Sequence, residues 1–289
     1  MSNVNHKKVN IVPLKELNLT DRFLFDEVME DPETQQAALS IIFEREIPLL
    51  TRSETEKELR LSPGIRSVRM DVFAMDEEQN IYNTEMQNKR KSDLARRSRY
   101  YQALLDTSLL ENGIPNYNLL NDTYFVMIMP FDLFGRKKYR YTFRSECQEL
   151  PGLLLEDGAV RVFLNTRGED KEGVSRELID FLHYLENTTD EAAEQASGER
   201  IRKIHSRVRK VKSNEEIGVK YMQAWEERYY DKQEAREEGR EEGARAKLRE
   251  MVEKKLRKGQ SPEQIADALE EEQEVIRDLL KEIQQDRGE

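Results

Sequence analysis

Apolar and polar positions change rhythm several times along the chain. In "NLTDRFLFDEVMEDPETQQAALSIIFERE", Phe25, Val28 and Met29 fall on one helical face. Asp31-Pro32 interrupts the run, and Ala37, Ala38, Ile41 and Ile42 resume helical spacing. Thr20 or Asp21 can cap the first of these helices. Ser62, Pro63 and Gly64 mark a turn. "RSVRMDVFAM" and "IYNTEMQ" then have strand composition and, joined by a polar loop from Asp76 to Asn80, predict a hairpin. "SDLARRSRYYQALLDTSLLENG" returns to helix: Ser92 or Asp93 caps it, Leu94, Tyr101, Leu104, Leu105 and Leu109 line one face, and Gly113 ends it. "TYFVMIMPF" is the most continuously apolar segment and predicts a buried central strand. "KYRYTFRSE" and "AVRVFLNT" predict two further strands.

After Thr166 the pattern becomes helical. "SRELIDFLHYLEN" is amphipathic, and "ERIRKIHSRVRKVKSNEEIGVKYMQAWEERYYD" reads as one or two more helices. From Gln233 charge dominates, with Glu-Glu-Gly at Glu237–Gly239 and again at Glu241–Gly243. Glu and Arg near i,i+4 spacing support a helix there, and the two glycines weaken it. The final segment opens with Ser261 as N-cap, Pro262 at N1 and Gln264 at N3. The order predicts α/β architecture with a helical C-terminal extension. The expected divisions are a core over 1–170, a helical extension packed on or following it over 171–232, and a charged helical tail over 233–289. The tail is a candidate for oligomerisation or for a spacer, or is a loosely ordered charged helix.

Composition narrows the classes. Of 289 residues, 36% are charged, against roughly 25% in an average soluble domain, so part of the chain is expected to be solvated helix. A net charge of -11 argues against a wholly basic nucleic-acid binder but leaves room for a local basic groove. The single cysteine, Cys147, excludes an internal disulfide and a cysteine zinc site. His6, His183 and His205 have no ligand spacing. The opening residues lack the apolar core of a signal peptide, and no stretch approaches the roughly 20 apolar residues that cross a bilayer. A cytoplasmic protein without membrane partners is expected.

The hairpin carries acids inside its strands. By strand alternation Glu85 and Gln87 share a face, and pairing through the 76–80 loop can bring Asp71 close to Glu85. Two converging carboxylates repel and resist desolvation unless neutralised. Mg²⁺, which takes one or two carboxylates plus waters and phosphate, does this well. A plainer account puts Asp71 on the solvent side of an edge strand and pairs Glu85 with Arg69 or Arg66; spacing alone does not separate the two. Next comes "NKRKSDLARRSRYYQ", a basic cluster of Lys89, Arg90, Lys91, Arg96, Arg97 and Arg99 interleaved with Tyr100 and Tyr101. Such a run is a solvated helix face or, beside a metal site, a holder of phosphates.

"RMDVFAMDEEQNIYNTEMQ", "ARRSRYYQALLD", "YFVMIMPFDLFGRKKYRYTF" and "DGAVRVFLNTRG", in that order, resemble the PD-(D/E)XK nuclease family transposases, also called recombination-promoting nucleases. "LTDRFLFDEVMED" and "AREEGREEG" fit the same family. The resemblance implies a restriction-endonuclease-like αβββαβ core, a mixed sheet flanked by helices, and Mg²⁺- or Mn²⁺-dependent hydrolysis of DNA phosphodiesters. It assigns Asp71 and Glu85 as metal-binding acids and Gln87 to the position usually held by Lys. Gln can hydrogen-bond but carries no charge. Gln87 is common among transposase-like members, and Lys89 is the candidate to supply the missing charge. Asp21 is a further candidate acid. Lys91, Arg96, Arg97 and Arg99 are assigned to the DNA backbone. "KKLRKGQSPEQIADALEEEQEVIRDLLKEI" is similar to the helix-turn-helix tails of the family but lacks the usual glycine turn, so Leu256, Ile265, Leu269, Ile276 and Leu280 are expected to serve packing. Two other readings stay open: a catalytically inactive DNA-binding relative, and an interaction protein working through the charged tail.

Overall fold

The computed structural model describes residues 11–59, 67–109 and 116–287. The turn at Ser62–Gly64, the helix stop at Gly113 and His6 lie outside them. The chain divides into two compact units, Met1–Tyr221 and Met222–Glu289.

The first unit opens with two helices, α1 (Arg22–Met29) and α2 (Pro32–Phe43). Each starts where an Asp side chain accepts a hydrogen bond from a free backbone N–H of the first turn, Asp21 from Phe23 and Asp31 from Thr34. Pro32 at N1 gives up no bond, because the N–H it lacks would have been unpaired there. Three strands follow: β1 (Leu50–Leu59), β2 (Val68–Asp76) and β3 (Ile81–Met86). Then come α3 (Leu94–Leu109) and the strands β4 (Thr123–Met129), β5 (Arg140–Phe143) and β6 (Ala159–Asn165). They form one six-stranded sheet in the order β1-β2-β3-β4-β6-β5. β1, β2 and β3 run antiparallel; β3, β4 and β6 are parallel; β5 is antiparallel at the far edge. The parallel step from β3 to β4 needs a crossover, and α3 provides it.

β1 is absent from the pattern-based expectation. Its sequence "LTRSETEKEL" is almost wholly polar, because it is an edge strand whose side chains largely face water. The charges that hide it from a hydrophobicity reading also discourage edge-to-edge pairing with another chain. β1 covers β2, so β2 is not the edge strand of the plainer account.

Leu94, Tyr101, Leu104 and Leu105 of α3 pack on one face of the sheet with Phe73, Ile81, Phe125, Met127 and Phe163. On the other face Leu39 of α2 meets Ala74 and Tyr82. There too, Phe25 and Met29 of α1 and Phe181 of α4 (Arg176–Glu186) surround Val72, Thr84 and Ile128. α5 (Asp190–Gln195), too short to show a periodicity, follows, and α6 (Glu199–Ser213) buries Ile201, Ile204, Val208 and Val211 against α1 and α2.

α7 (Glu215–Leu256) is one helix of 42 residues that runs through Gly239 and Gly243. In the second unit its C-terminal part packs with α8 (Pro262–Leu269) and α9 (Gln273–Arg287) around Val252, Ile265, Ala266, Ile276, Leu279 and Ile283. The Ser261–Gln264 capping box forms as the spacing predicts. Glu270, at φ 55°, takes the left-handed turn that glycine usually fills after a helix. Among the described residues no helix is long and apolar enough to cross a membrane.

Candidate active site

Asp71 lies near the start of β2 and Glu85 near the end of β3. The β2–β3 pairing brings Val72 opposite Thr84, so the next pair of positions is Asp71 and Glu85, side by side on the same face. There carboxylates take over from carbonyls. The Asp71 N–H donates to Glu85 Oε1 at 3.2 Å, and the Met86 N–H donates to Asp71 Oδ2 at 3.0 Å. These bonds fix both acids to the sheet. Asp71 is 3% exposed and Glu85 1%.

Two arginines face the pair. Arg22 Nη2 lies 2.6 Å from Asp71 Oδ1. Arg97, from α3, donates to Glu85 Oε2 at 2.9 Å and to Gln87 Oε1 at 3.0 Å, with its guanidinium 4.8 Å from the Tyr101 ring centre. The arginines do not fully offset the cost of burying two like charges. Burial, then repulsion from Asp71, pushes the Glu85 carboxyl up to about 8 despite Arg97. Burial also raises the Asp71 carboxyl, outweighing Arg22 and the Met86 N–H. A third acid feels the same field: burial, then Asp71, pushes Asp26 up to about 8, with Arg22 opposing. The Asp26 Oδ1 atom is buried without a hydrogen-bond partner.

The remaining sequence candidates separate. Gln87 is half-buried and ties the chain after β3 together, donating to the Lys89 carbonyl at 2.6 Å while accepting from Arg97. Lys89 does not continue the parity of Glu85, because β3 ends at Met86; it sits exposed in the following loop. Lys91, Arg96 and Arg99 are exposed. Arg97 turns inward, away from the other three, and belongs with Glu85. Asp21 is spent as the α1 cap, accepting from the Phe23 N–H, and the acid of α1 that senses Asp71 is Asp26. Arg69 pairs with Glu56, not with Glu85. Arg66 lies outside the described residues.

Arg22 and Asp26 were missed in the sequence. The available signal was an Arg and an Asp at i,i+4 in a short helix where Phe23 to Met29 are all buried: charges inside an apolar helix need partners.

Among the described residues no group of three or more His, Cys, Asp and Glu side chains is placed to hold a metal ion, so the donor set is the pair. Its oxygen donors are of the kind a hard divalent cation takes, and it is burial first, ahead of repulsion from Asp71 in the case of Glu85, that holds both carboxyls on the protonated side of their usual range.

A mixed sheet flanked by helices, with a pair of acids where β2 meets the end of β3, is consistent with the restriction-endonuclease-like fold of PD-(D/E)XK nucleases. The sequence model of the PD-(D/E)XK nuclease family transposases matches residues 37–239, more than half of the chain, and the protein belongs to that family. Nucleases of this class generally use divalent metal ions, and the family implies DNA as substrate. No curated protein and no solved structure matches the chain. α1, which carries Arg22 and Asp26, lies outside the matched residues.

Proposed function

We propose that the protein is a metal-dependent DNA endonuclease that hydrolyses phosphodiester bonds at the Asp71–Glu85 pair, with Mg²⁺ or Mn²⁺ held by the two carboxylates. The observation that carries this reading is the pair itself: two buried acids side by side, each accepting from a backbone N–H of the hairpin. When bound, the ion would supply Lewis-acid stabilisation of phosphoryl charge and a lowered pKa for water. The chain's own residues do the rest. β2 and β3 hold the carboxylates at fixed separation. Arg97 orients Glu85 and Gln87 together. Lys91, Arg96 and Arg99, exposed and close in sequence, attract and hold the DNA backbone. Lys89, exposed in the loop that follows β3, would have to reach back to the pair to offer the positive charge that Gln87 lacks.

The test is plasmid nicking with Mg²⁺ or Mn²⁺ and with chelator. Asp71→Asn and Glu85→Gln, which keep shape and remove charge, should each lower the rate by at least about a hundredfold, the scale of removing one group that stabilises transition-state charge. Undiminished nicking by both variants would remove the site. A second reading, a DNA-binding relative without catalysis, is favoured by one observation: Arg22 and Arg97 each form an ion pair with one of the two acids. Calorimetry with Mn²⁺ separates the two, because only the nuclease takes up the ion.

A further inference from the structure

Arg22 stands between two carboxylates: Nη2 is 2.6 Å from Asp71 Oδ1, and Nε is 3.4 Å from Asp26 Oδ2. Neither of these two buried nitrogens makes a well-angled hydrogen bond, so both contacts are close ion pairs. Asp26 keeps one buried oxygen without a partner. We propose that Arg22 is a resident counter-ion of the site, neutralising Asp71 when no divalent cation is bound and withdrawing onto Asp26, one helical turn along α1, when a cation takes its place. This rests on the metal site proposed above. α1 thereby makes ion loading a competition between a tethered cation and a free one, and Asp26 is a positioning residue that gives the displaced guanidinium a partner. Arg22's side chain is 42% exposed, but its Nε and Nη2 are buried, and leaving those two atoms unpaired would oppose loading, whereas the i,i+4 pair with Asp26 is already in place.

The test is Mn²⁺ titration by calorimetry at one pH near neutrality. Arg22→Gln should bind Mn²⁺ about tenfold more tightly than wild type, the scale on which one adjacent opposite charge shifts a carboxylate. Arg22→Lys, which keeps the charge, should stay near wild type. Asp26→Asn should weaken Mn²⁺ binding in the wild-type background and leave it unchanged in Arg22→Gln, a coupling that simple loss of negative charge does not produce. Melting in chelator checks folding: Arg22→Gln should melt lower than wild type and gain more from Mn²⁺. If Mn²⁺ binds wild type, fails to bind Asp71→Asn, and binds Arg22→Gln no more tightly, the counter-ion role is overturned and the metal site stands. If neither wild type nor Arg22→Gln binds Mn²⁺, both fall.

A separate observation concerns α6. Four of its cations are engaged: Arg200 with Glu46 and Glu177, Lys203 with Glu33, Arg207 with the Glu27 carbonyl and Lys212 with the Thr188 carbonyl. Arg202, Arg209 and Lys210 are exposed and make no ion pair among the described residues. Arg209 and Lys210 lie seven and eight residues beyond Arg202, about 10–12 Å along the axis, spread over the side of the helix that faces away from its buried residues. Asp190, on the adjoining α5, is taken up by His205 at 2.8 Å. The geometry points to a second contact with a DNA backbone, carried by a helix whose other cations serve the fold. The test is binding of a labelled duplex in chelator at several salt concentrations. Changing Arg202, Arg209 and Lys210 together to Gln should weaken binding and reduce the slope of log affinity against log salt by about 2 to 3, near 0.9 for each phosphate that is no longer neutralised. Unchanged affinity and slope, with wild type binding the duplex, would overturn this second site alone. Failure of wild type to bind removes the DNA reading as well.

Discussion

At the residue scale, the site is a problem of proton affinity. The Glu85 carboxyl, pushed up to about 8 by burial and by Asp71, sits near 4.3 in an unfolded chain. Between those values the folded protein binds more protons than the unfolded one, so stability falls as pH rises. Asp26, also up to about 8, acts in the same direction. In chelator, melting temperature should therefore drop from pH 5.5 to pH 8.5. Glu85→Gln should flatten the drop by on the order of 1–3 kcal/mol of stability, because one of the titrating groups is gone. A divalent cation should reverse it, stabilising the protein more at pH 8 than at pH 5.5. Melting curves at several pH values, with and without Mn²⁺, check both statements; a drop of the same size in Glu85→Gln would show that Glu85 is not its source. An acid on each hairpin strand was readable from the sequence, but their meeting on one face was only one of two open accounts there, because it depends on the pairing register as well as on strand alternation. The partners were not readable, because Arg22 and Asp26 come from a helix some 45 or more residues earlier in the chain and meet Asp71 only through tertiary packing.

At the element scale, β1 shows why a polar edge strand escapes detection and what it does near the site. In the β1–β2 register, Thr55 faces Val72 and Lys57 faces Met70, so Glu56 stands at the level of Asp71. Glu56 has φ 53°, a left-handed conformation that costs a non-glycine residue roughly 1–2 kcal/mol. The distortion falls beside the buried acid, as backbone strain often does near functional groups. Valine is the better strand residue in general, but at positive φ a β-branched side chain clashes with its own backbone. Glu56→Val should cost about 1–2 kcal/mol, whereas Glu58→Val, two residues along on the same exposed edge, should be neutral or mildly stabilising. Denaturant unfolding of the two variants decides it, and equal effects would show that the backbone at 56 relaxes without penalty. The elements that could be read from the sequence, α1 to α4, α6, α8, the β2–β3 hairpin and β4 to β6, carry a helical or alternating apolar pattern, a cap, or in β4 an unbroken apolar run. β1 and α5 lack such an apolar pattern.

At the scale of the whole molecule, the chain combines two units with separate apolar clusters. The first holds the sheet and its helices. The second relies on Val252, Ile265, Ala266, Ile276, Leu279 and Ile283, a small core for three helical segments. Small cores give small margins, so each buried aliphatic side chain there carries a large share of the unit's stability. Ile276 is fully buried among them, and truncating such a side chain to alanine costs about 2–5 kcal/mol. That is comparable to the roughly 3–5 kcal/mol that a core of this size supplies. Ile276→Ala should therefore unfold the second unit while leaving the first intact. Wild type should show two calorimetric transitions, one for each unit, and the substitution should abolish or lower that of the second unit and leave that of the first unmoved, with Mn²⁺ still raising the latter. A first-unit transition that moved with the substitution would mean that the two units fold as one, and the separate clusters would then not be separate in energy.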